Sequence, residues 1–169
     1  MIMKIGFGGG CHWCTEAVFQ SLKGVETVEQ GWVSSVGEDS NFSEAVIVSY
    51  YPEIISLKTL IEVHLLTHSS TSAHTMRKKY RSAVYCFSKE QQQEVDCILA
   101  DLQEEFDNKL ITKSLPYTGF KPSREEYQNY YAKNPNKPFC QRYIQPKLSY
   151  IMNKFGKEKF NDDLSHRLY

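Results

Sequence analysis

The 169-residue sequence has no excess of charge of either sign, because Lys and Arg together number 20 and Asp and Glu also number 20. It therefore lacks the basic footprint of a protein that binds nucleic acid or an anionic membrane surface, and we expect neither partner. No apolar run approaches the length of a membrane span, and no basic segment followed by an apolar run begins the chain. These absences predict a cytoplasmic protein without a membrane anchor.

Nucleotide-binding motifs, internal repeats and low-complexity segments are also absent. The sequence has no G-x-G-x-x-G fingerprint, and the glycine run at residues 8–10 is not followed by the Lys-Ser/Thr of a phosphate-binding loop. We therefore do not expect nucleotide binding. The length suits one hydrophobic core, so we predict a single domain over residues 1–169, with the polar residues 156–169 as a tail that frays.

Cysteines number five, an odd count that does not suit a fully disulfide-bonded secreted chain and indicates reduced thiols. One C-x-x-C pair is present, formed by Cys11 and Cys14. A structural zinc site would need a second ligand pair at similar spacing, and the chain has no other C-x-x-C or C-x-x-H. We expect no metal, and the pair is either a redox or nucleophilic couple, which we favour, or two small residues on a buried face.

Cys11 follows a predicted strand and a glycine turn, and it immediately precedes a predicted helix. Residues 2–7 form a short apolar run, and apolar residues recur at helical spacing after Cys11. The first turn of a helix offers unpaired N–H groups and the positive end of the helix dipole, both of which favour a thiolate. Cys14 follows one turn later, at a Cα separation of roughly 5 to 6 Å that a disulfide can span.

The alternation of strands and helices predicts an α+β fold with a ferredoxin-like split βαβ core, in which helices pack on a mixed sheet. A Rossmann or thioredoxin fold is the alternative. Predicted strands cover residues 25–36, 42–51, 81–87 and 110–115, and predicted helices cover residues 57–68, 89–108, 124–131 and 146–155. From Tyr117 onward the pattern has no lasting periodicity, which indicates a long irregular C-terminal segment that wraps the core and can bring Cys140 over the site.

Three polar residues interrupt the apolar pattern. Glu44 begins an almost continuous apolar strand, and alone it is typical of a solvated carboxylate at a strand end. His64 and His68 share one face of a helix, but no H-E-x-x-H motif accompanies them. Two histidines that border the core are therefore favoured over a metal pair.

The segment at residues 9–16, G-G-C-H-W-C-T-E, resembles the G-G-C-F-W signature of the A-type peptide methionine sulfoxide reductases, which carries a glutamate three residues on. Later segments resemble the other motifs of that family in the same order: S-E-A-V at 43–46 (H-A-E-V), Y-R-S-A at 80–83 (Q-Y-R-S-A), Q-N-Y-Y at 128–131 (H-Q-N-Y-Y), and N-P at 134–135 with Cys140 and P-K-L at 146–148 (N-P, Y-C, P-K-L). The resemblance covers roughly residues 3–150.

The resemblance implies thiol-dependent reduction of methionine S-sulfoxide, free or in proteins. The Cys11 thiolate would attack the sulfoxide sulfur, while Glu44, kept protonated in a water-poor pocket, would donate to the oxygen and Tyr80 would hydrogen-bond it. Trp13 would hold the S-methyl group. Cys11 would become a sulfenic acid and then a disulfide, which thioredoxin or another dithiol would reduce. No bound cofactor is implied, and we expect a monomer.

The sequence departs from the family pattern at several positions. His12 replaces the phenylalanine, Trp32 stands in the segment where the family has G-Y-x-G-G, and Tyr127 replaces the histidine of H-Q-N-Y-Y. We assign these three residues, with Trp13, to substrate binding. The interval from Cys11 to Glu44 is shorter than usual, which removes a second oxygen-binding tyrosine, and the shortened loop before Tyr80 lacks the family's aspartate.

Two questions stay open at this point. Cys14, one helical turn from Cys11, is favoured as the cysteine that resolves the sulfenic acid, and Cys140 is the competitor or a second relay. The altered loops also allow a divergent relative that acts as a redox-sensing or binding module or reduces another methyl sulfoxide. We predict the reductase, because a pure sensor has no use for a buried proton donor.

Overall fold

A computed structural model describes residues 1–73, 77 and 79–161, in which a six-stranded mixed sheet carries helices packed against it. The strands are Met3–Gly8 (β1), Val25–Ser34 (β2), Ser43–Tyr50 (β3), Ala83–Cys86 (β4), Lys113–Pro116 (β5) and Gly119–Pro122 (β6). The helices are His12–Gln20 (α1), Leu57–Leu66 (α2), Lys89–Leu102 (α3), Tyr130–Lys133 (α4) and Gln145–Phe155 (α5). Within these described residues, no helix is long and apolar enough to cross a membrane.

The strand order across the sheet is β5-β4-β1-β3-β2-β6. All neighbouring strands are antiparallel except β4 and β5, which are parallel. The chain order β1, α1, β2, β3, α2, β4 with the spatial order β4-β1-β3-β2 is a split βαβ arrangement. The predicted α+β class and ferredoxin-like core are therefore confirmed.

Strand β3 lies at the centre of the core, and all eight of its residues are buried. Successive strand residues point to opposite faces of the sheet, so a strand covered on both faces needs a continuous apolar run. One face packs against the helices, with Phe7 of β1 stacked on Phe19 of α1 at 4.5 Å. The other face holds a smaller cluster that includes Ile47 and Tyr85.

The C-terminal segment wraps the core, but the helix predicted over residues 124–131 is wrong. The chain forms only a 3₁₀ turn at Glu125–Tyr127 and the short α4, because Asn129 between them has the left-handed φ of 57°. Strand β6, which pairs with β2, was not predicted; its four residues include a glycine and a proline. Pro122 is tolerated because β6 is an edge strand.

The prediction that residues 156–169 form a frayed tail is also wrong for the part that the structure describes, which ends at residue 161. Phe160 is fully buried and forms a bridge with Leu22, and the Asn161 N–H donates to the Ser21 carbonyl at 3.0 Å. These contacts hold the chain end against the turn that follows α1. Residues 162–169 lie outside the described residues.

Candidate active site

Cys11 is the N-cap residue of α1. Its carbonyl accepts hydrogen bonds from the backbone N–H groups of Cys14 at 3.1 Å and Thr15 at 3.2 Å. The preceding Gly9 has φ +150°, and a Cβ at that position would lie 2.5 Å from the His68 ring. Glycine at position 9 therefore lets the chain turn closely from the central strand β1 to the helix N-terminus, where Cys11 is half-buried.

The pKa of the Cys11 thiol is lowered from its ordinary 9.0 to about 7, chiefly because the Cys14 side chain donates a hydrogen bond to the sulfur. The N–H groups of Trp13 and Cys14 also lower this pKa, whereas burial and the Glu44 charge raise it. The same hydrogen bond and burial raise the pKa of Cys14. The pair therefore consists of an ionisable Cys11 and a Cys14 that keeps its proton.

Glu44, the second residue of β3, is 6% exposed, so the solvated-carboxylate interpretation is wrong. Its Oε1 lies 3.3 Å from Nε2 of His12 and accepts the His12 backbone N–H at 3.4 Å. Its Oε2 lies 3.8 Å from the Lys79 ammonium. The carboxyl group therefore faces the N-terminus of α1, close enough for its charge to affect Cys11.

Tyr80 is held beside Glu44 by a short set of hydrogen bonds. The Lys79 carbonyl accepts the Glu44 N–H at 3.0 Å and the Ser43 hydroxyl at 2.8 Å, and the same hydroxyl accepts the Arg81 N–H at 2.8 Å. The Lys79 ammonium lies 5.1 Å from the centre of the Tyr80 ring. This segment fixes Tyr80 next to the start of β3.

Tyr80 also lines a cavity of about 530 Å³ that adjoins the glycine turn. Gly9, Gly10, Lys147 and Tyr150 are among the other lining residues. The cavity provides room beside the Cys11 turn for a ligand larger than a single side chain.

His12 is 6% exposed, and its ring contacts both Gly31 of β2 and Glu44 of β3. Its Nδ1 lies 2.9 Å from the Gly31 carbonyl oxygen, and its ring meets the half-buried Trp32 edge-on at 5.1 Å. Burial lowers the pKa of His12, while the Gly31 carbonyl and Glu44 oppose that change. His12 and Trp32, both assigned to substrate binding from the sequence, therefore lie together beside Glu44.

Trp13 is part of an aromatic cluster on the outer side of α1. Its ring stacks on Tyr130 at 4.2 Å and Tyr127 at 5.8 Å, and it meets Phe139 edge-on at 5.4 Å. Tyr127 was predicted near the site, whereas Tyr130 and Phe139 were missed. Tyr130 belongs to the Q-N-Y-Y segment, which was the signal that could have identified it.

Glu16 connects this aromatic cluster to α1 and was not recognised as a site residue. It is fully buried, and its carboxylate accepts the backbone N–H groups of Asn129 at 3.0 Å and Tyr130 at 3.1 Å. It also accepts the Gln30 side-chain amide at 3.0 Å. Burial raises the pKa of Glu16, and these three hydrogen bonds lower it. Glu16 therefore fixes the segment that carries the rings around Trp13.

Cys140 is fully buried at the start of a π-helical turn, Cys140–Ile144, and its thiol donates to the Asn134 carbonyl at 3.6 Å. Burial raises the pKa of Cys140. All five cysteines are free thiols. Cys140 thus belongs to the packed interior that also contains Cys14, rather than to a loose segment.

His64 and His68 lie behind the glycine turn and border the core, as predicted. Nε2 of His64 lies 2.7 Å from the Gly8 carbonyl oxygen, and Nε2 of His68 lies 2.7 Å from the Ser82 hydroxyl. Burial lowers the pKa of His64 and lowers that of His68 to about 4. In the part of the chain that the structure describes, no group of three or more His, Cys, Asp or Glu residues is arranged to hold a metal ion.

Comparisons with known proteins identify relatives in both sequence and structure. The family model for peptide methionine sulfoxide reductase matches residues 3–160. The peptide methionine sulfoxide reductase MsrA of Chromobacterium violaceum is 34% identical over 169 residues, covering 90% of this chain and 96% of the relative. Among solved structures, reduced Mxr1 from Saccharomyces cerevisiae is 25% identical with a TM-score of 0.71, covering 82% of this chain and 89% of Mxr1.

Mxr1 in complex with Trx2 is also similar, with 26% identity and a TM-score of 0.61 over 76% of this chain and 84% of that chain. The family match spans nearly all of the described residues and includes Cys11, Glu44 and Tyr80. The chain belongs to the peptide methionine sulfoxide reductase family.

Proposed function

We propose that this protein reduces methionine S-sulfoxide, free or in proteins, to methionine. Thioredoxin or another dithiol supplies the electrons, and no bound cofactor takes part. The observation that carries the proposal is the half-buried Cys11, whose thiol pKa is about 7, at a helix N-terminus that Glu44 also faces. The relatives named above are peptide methionine sulfoxide reductases, and Mxr1 forms a complex with Trx2.

In the proposed first step the Cys11 thiolate attacks the sulfoxide sulfur. Glu44 donates its proton to the oxygen, and Tyr80 hydrogen-bonds the same oxygen. The oxygen then passes to Cys11, and both the S–O bond and the transient bond between the two sulfur atoms break, which leaves methionine and a Cys11 sulfenic acid. General acid catalysis of this kind typically contributes about 10²–10⁴-fold to the rate. The proximity of Glu44 to the helix end that carries Cys11 supports these roles.

The S-methyl group of the substrate needs an apolar wall, and aromatic side chains surround the site. We assign the wall to Trp13 and Trp32, with His12 beside Trp32 and Tyr127 beside Trp13. The aromatic cluster supports this assignment because its rings hold the Trp13 indole in one orientation.

Cys14 resolves the sulfenic acid in our proposal, because it lies one helical turn from Cys11 and its thiol already lowers the pKa of the Cys11 thiol. Cys140, buried in the same interior, is a second relay that can receive the disulfide. Five free thiols suit a reducing compartment, and we assign the protein to the cytoplasm as a monomer.

The proposal is tested by assaying the purified protein with dithiothreitol and each diastereomer of a blocked methionine sulfoxide. We expect turnover of the S form alone and none with Cys11→Ser. If neither diastereomer is reduced while peroxide still oxidises Cys11, the chain is the redox-sensing module that its shortened loops allow. If another methyl sulfoxide is turned over in preference to the S form, that sulfoxide is the substrate instead of methionine S-sulfoxide.

A further inference from the structure

His12 lies between a carbonyl group and the proposed catalytic acid. Its Nδ1 is 2.9 Å from the Gly31 carbonyl oxygen on β2, and its Nε2 is 3.3 Å from Oε1 of Glu44 on β3. The ring is buried at 6% exposure, so water does not compete for either nitrogen. Both ring nitrogens therefore have one fixed partner each.

These two contacts determine where the imidazole protons can lie. A carbonyl oxygen only accepts hydrogen bonds, so Nδ1 must carry a proton. A neutral His12 then presents the lone pair of Nε2 to Glu44. A lone pair and a carboxylate oxygen repel each other unless one proton lies between them, so His12 and Glu44 together hold one shared proton.

The groups around the ring decide which partner carries that proton at rest. Glu44 on β3 and, farther off, the Lys79 ammonium are the charged groups that act on His12; β2 contributes the Gly31 carbonyl and the Trp32 ring, and Cys11 is its neighbour along the chain. Burial is the largest influence and lowers the pKa of His12. The Gly31 carbonyl and the Glu44 charge oppose this influence and favour the protonated ring, so neither partner holds the proton alone.

We propose that His12 is a positioning residue for the catalytic proton: it shares the proton of Glu44 at rest and restores it after each turnover, which rests on the function proposed above. His12 stands where the family signature has phenylalanine. A phenylalanine can form an apolar wall but cannot exchange a proton with Glu44, so this role belongs to chains that carry histidine at position 12.

The proton balance of the reaction shows when His12 is needed. In oxygen transfer, methionine sulfoxide gains two electrons, Cys11 is oxidised to the sulfenic acid, and Glu44 ends as a carboxylate. Cys14 then forms the S–S bond with Cys11, and the Cys14 proton leaves with the hydroxyl group as water. The external dithiol returns two electrons and two protons. Cys14 keeps one proton, and the other is released as Cys11 becomes a thiolate again, next to His12 and Glu44.

The released proton equals the one that Glu44 lost, and Nε2 of His12 is the base that lies against the carboxylate. A proton taken up by Nε2 passes to Oε1 without leaving the buried site. The cycle as a whole consumes no protons, which matches reduction of a sulfoxide by a dithiol to give sulfide, water and disulfide.

The first test measures the protonation of the His12–Glu44 pair in the full protein without substrate. Nitrogen-15 NMR of the imidazole rings follows both nitrogens of His12 from pH 4 to 9, in the wild type and in Glu44→Gln. We expect Nδ1 to be protonated throughout, and Nε2 to gain its proton at a pH at least one unit higher in the wild type than in Glu44→Gln. The same titration of Nε2 in both proteins would overturn the proposal, even if the protein proves to be a reductase.

The second test measures methionine formed in a single turnover as a function of pH, in the wild type, His12→Gln and His12→Phe. Glutamine keeps a hydrogen-bonding side chain without a titrating base, and phenylalanine keeps the ring volume. The charge-assisted hydrogen bond between Nε2 and Oε1 stabilises the shared proton, so the pair loses it at a higher pH than a site without that bond. We therefore expect the alkaline limb of the pH–rate profile to lie about one pH unit lower in both variants than in the wild type. At a pH on the wild-type alkaline limb, both variants should then form methionine about tenfold more slowly than the wild type.

If the alkaline limb of His12→Gln is unchanged and only KM is altered, His12 is simply part of the pocket wall. That result would overturn the proposal. The fold is checked for each variant by its circular dichroism. Because the NMR titration needs no turnover, failure of the proton-sharing proposal is distinguishable from failure of the proposed reductase activity.

Discussion

The Cys14 thiol stabilises the Cys11 thiolate, so the cysteine that we propose as the resolving one would also activate the attacking one. We predict that the rate of Cys11 alkylation by iodoacetamide follows an apparent pKa of about 7 in the wild type. In Cys14→Ala this pKa should rise towards the ordinary thiol value, because the largest stabilising hydrogen bond is lost. Mass spectrometry of the alkylated Cys11 peptide across pH 5 to 10 measures both values.

Cys14→Ser is the matched control, because a hydroxyl still donates a hydrogen bond to the Cys11 sulfur. Its apparent pKa should lie below that of Cys14→Ala. If Cys14→Ala and the wild type share the same alkylation profile, the helix N-terminus alone lowers the Cys11 pKa and the thiol contact contributes nothing.

In the proposed mechanism Glu44 supplies a proton that an amide cannot supply. Glu44→Gln should therefore lower the rate of methionine formation in a single turnover by about 10²-fold or more. Cys11 alkylation at pH 7 should not slow in this variant, because the Glu44 charge raises the Cys11 pKa and its removal favours the thiolate. A variant that retains a rate within tenfold of the wild type would remove Glu44 as the acid.

The elements that could be predicted from sequence are those whose periodicity is local. Strand β3 was predicted from its run of apolar and β-branched residues, and the start of α2 from Ser56, whose hydroxyl accepts the Thr59 N–H at 3.1 Å. Strand β6 and the break at Asn129 could not be predicted in this way. They depend on pairing with β2 and on contacts with Glu16, which are distant in sequence.

The contact between α1 and α4 depends on a single buried carboxylate. The two carboxylate oxygens of Glu16 accept hydrogen bonds from three N–H donors. A glutamine at this position keeps one acceptor oxygen and replaces the other with an NH₂ group, which cannot accept. A buried N–H without an acceptor costs about 1–3 kcal/mol, so Glu16→Gln should lower the free energy of unfolding by that amount. Urea titration at pH 7 followed by circular dichroism measures the change.

Glu125 provides the matched control, since it lies in the same C-terminal segment with an exposed side chain. Glu125→Gln should leave the urea midpoint unchanged. Equal stability of Glu16→Gln and Glu125→Gln would mean that the three hydrogen bonds to Glu16 do not hold the segment in solution.

At the scale of the whole molecule, the site combines residues that local patterns identify with residues that only the fold brings together. Cys11 and Cys14 follow from the C-x-x-C spacing at a helix start, and Glu44 and Tyr80 from the family resemblance. Lys79 beside Glu44 was missed, because a charged residue in a polar loop has no periodicity that marks it. The Trp13 cluster was recognised only in part, because Tyr130 and Phe139 reach it through the C-terminal wrap.

The position of Cys14 beside Cys11 predicts which cysteine closes the disulfide. With thioredoxin as the reductant, Cys14→Ser should lose most of its steady-state turnover, because Cys14 is the thiol whose side chain acts on Cys11 in the resting protein. Cys140→Ser should retain the first turnover and slow only the reduction by thioredoxin. Equal turnover of Cys14→Ser and the wild type, with a Cys11–Cys140 disulfide, would remove Cys14 from the mechanism.

The central claim is that Cys11 takes the oxygen of methionine S-sulfoxide and passes the oxidation to Cys14. The most direct measurement mixes the reduced protein with one equivalent of the blocked S-sulfoxide without reductant, then quantifies the sulfide and maps the thiols by mass spectrometry. We predict about one equivalent of sulfide per chain, a Cys11–Cys14 disulfide, and Cys86 and Cys97 still free. Sulfide formation with Cys11 still open to alkylation, or no sulfide at all, would contradict the account.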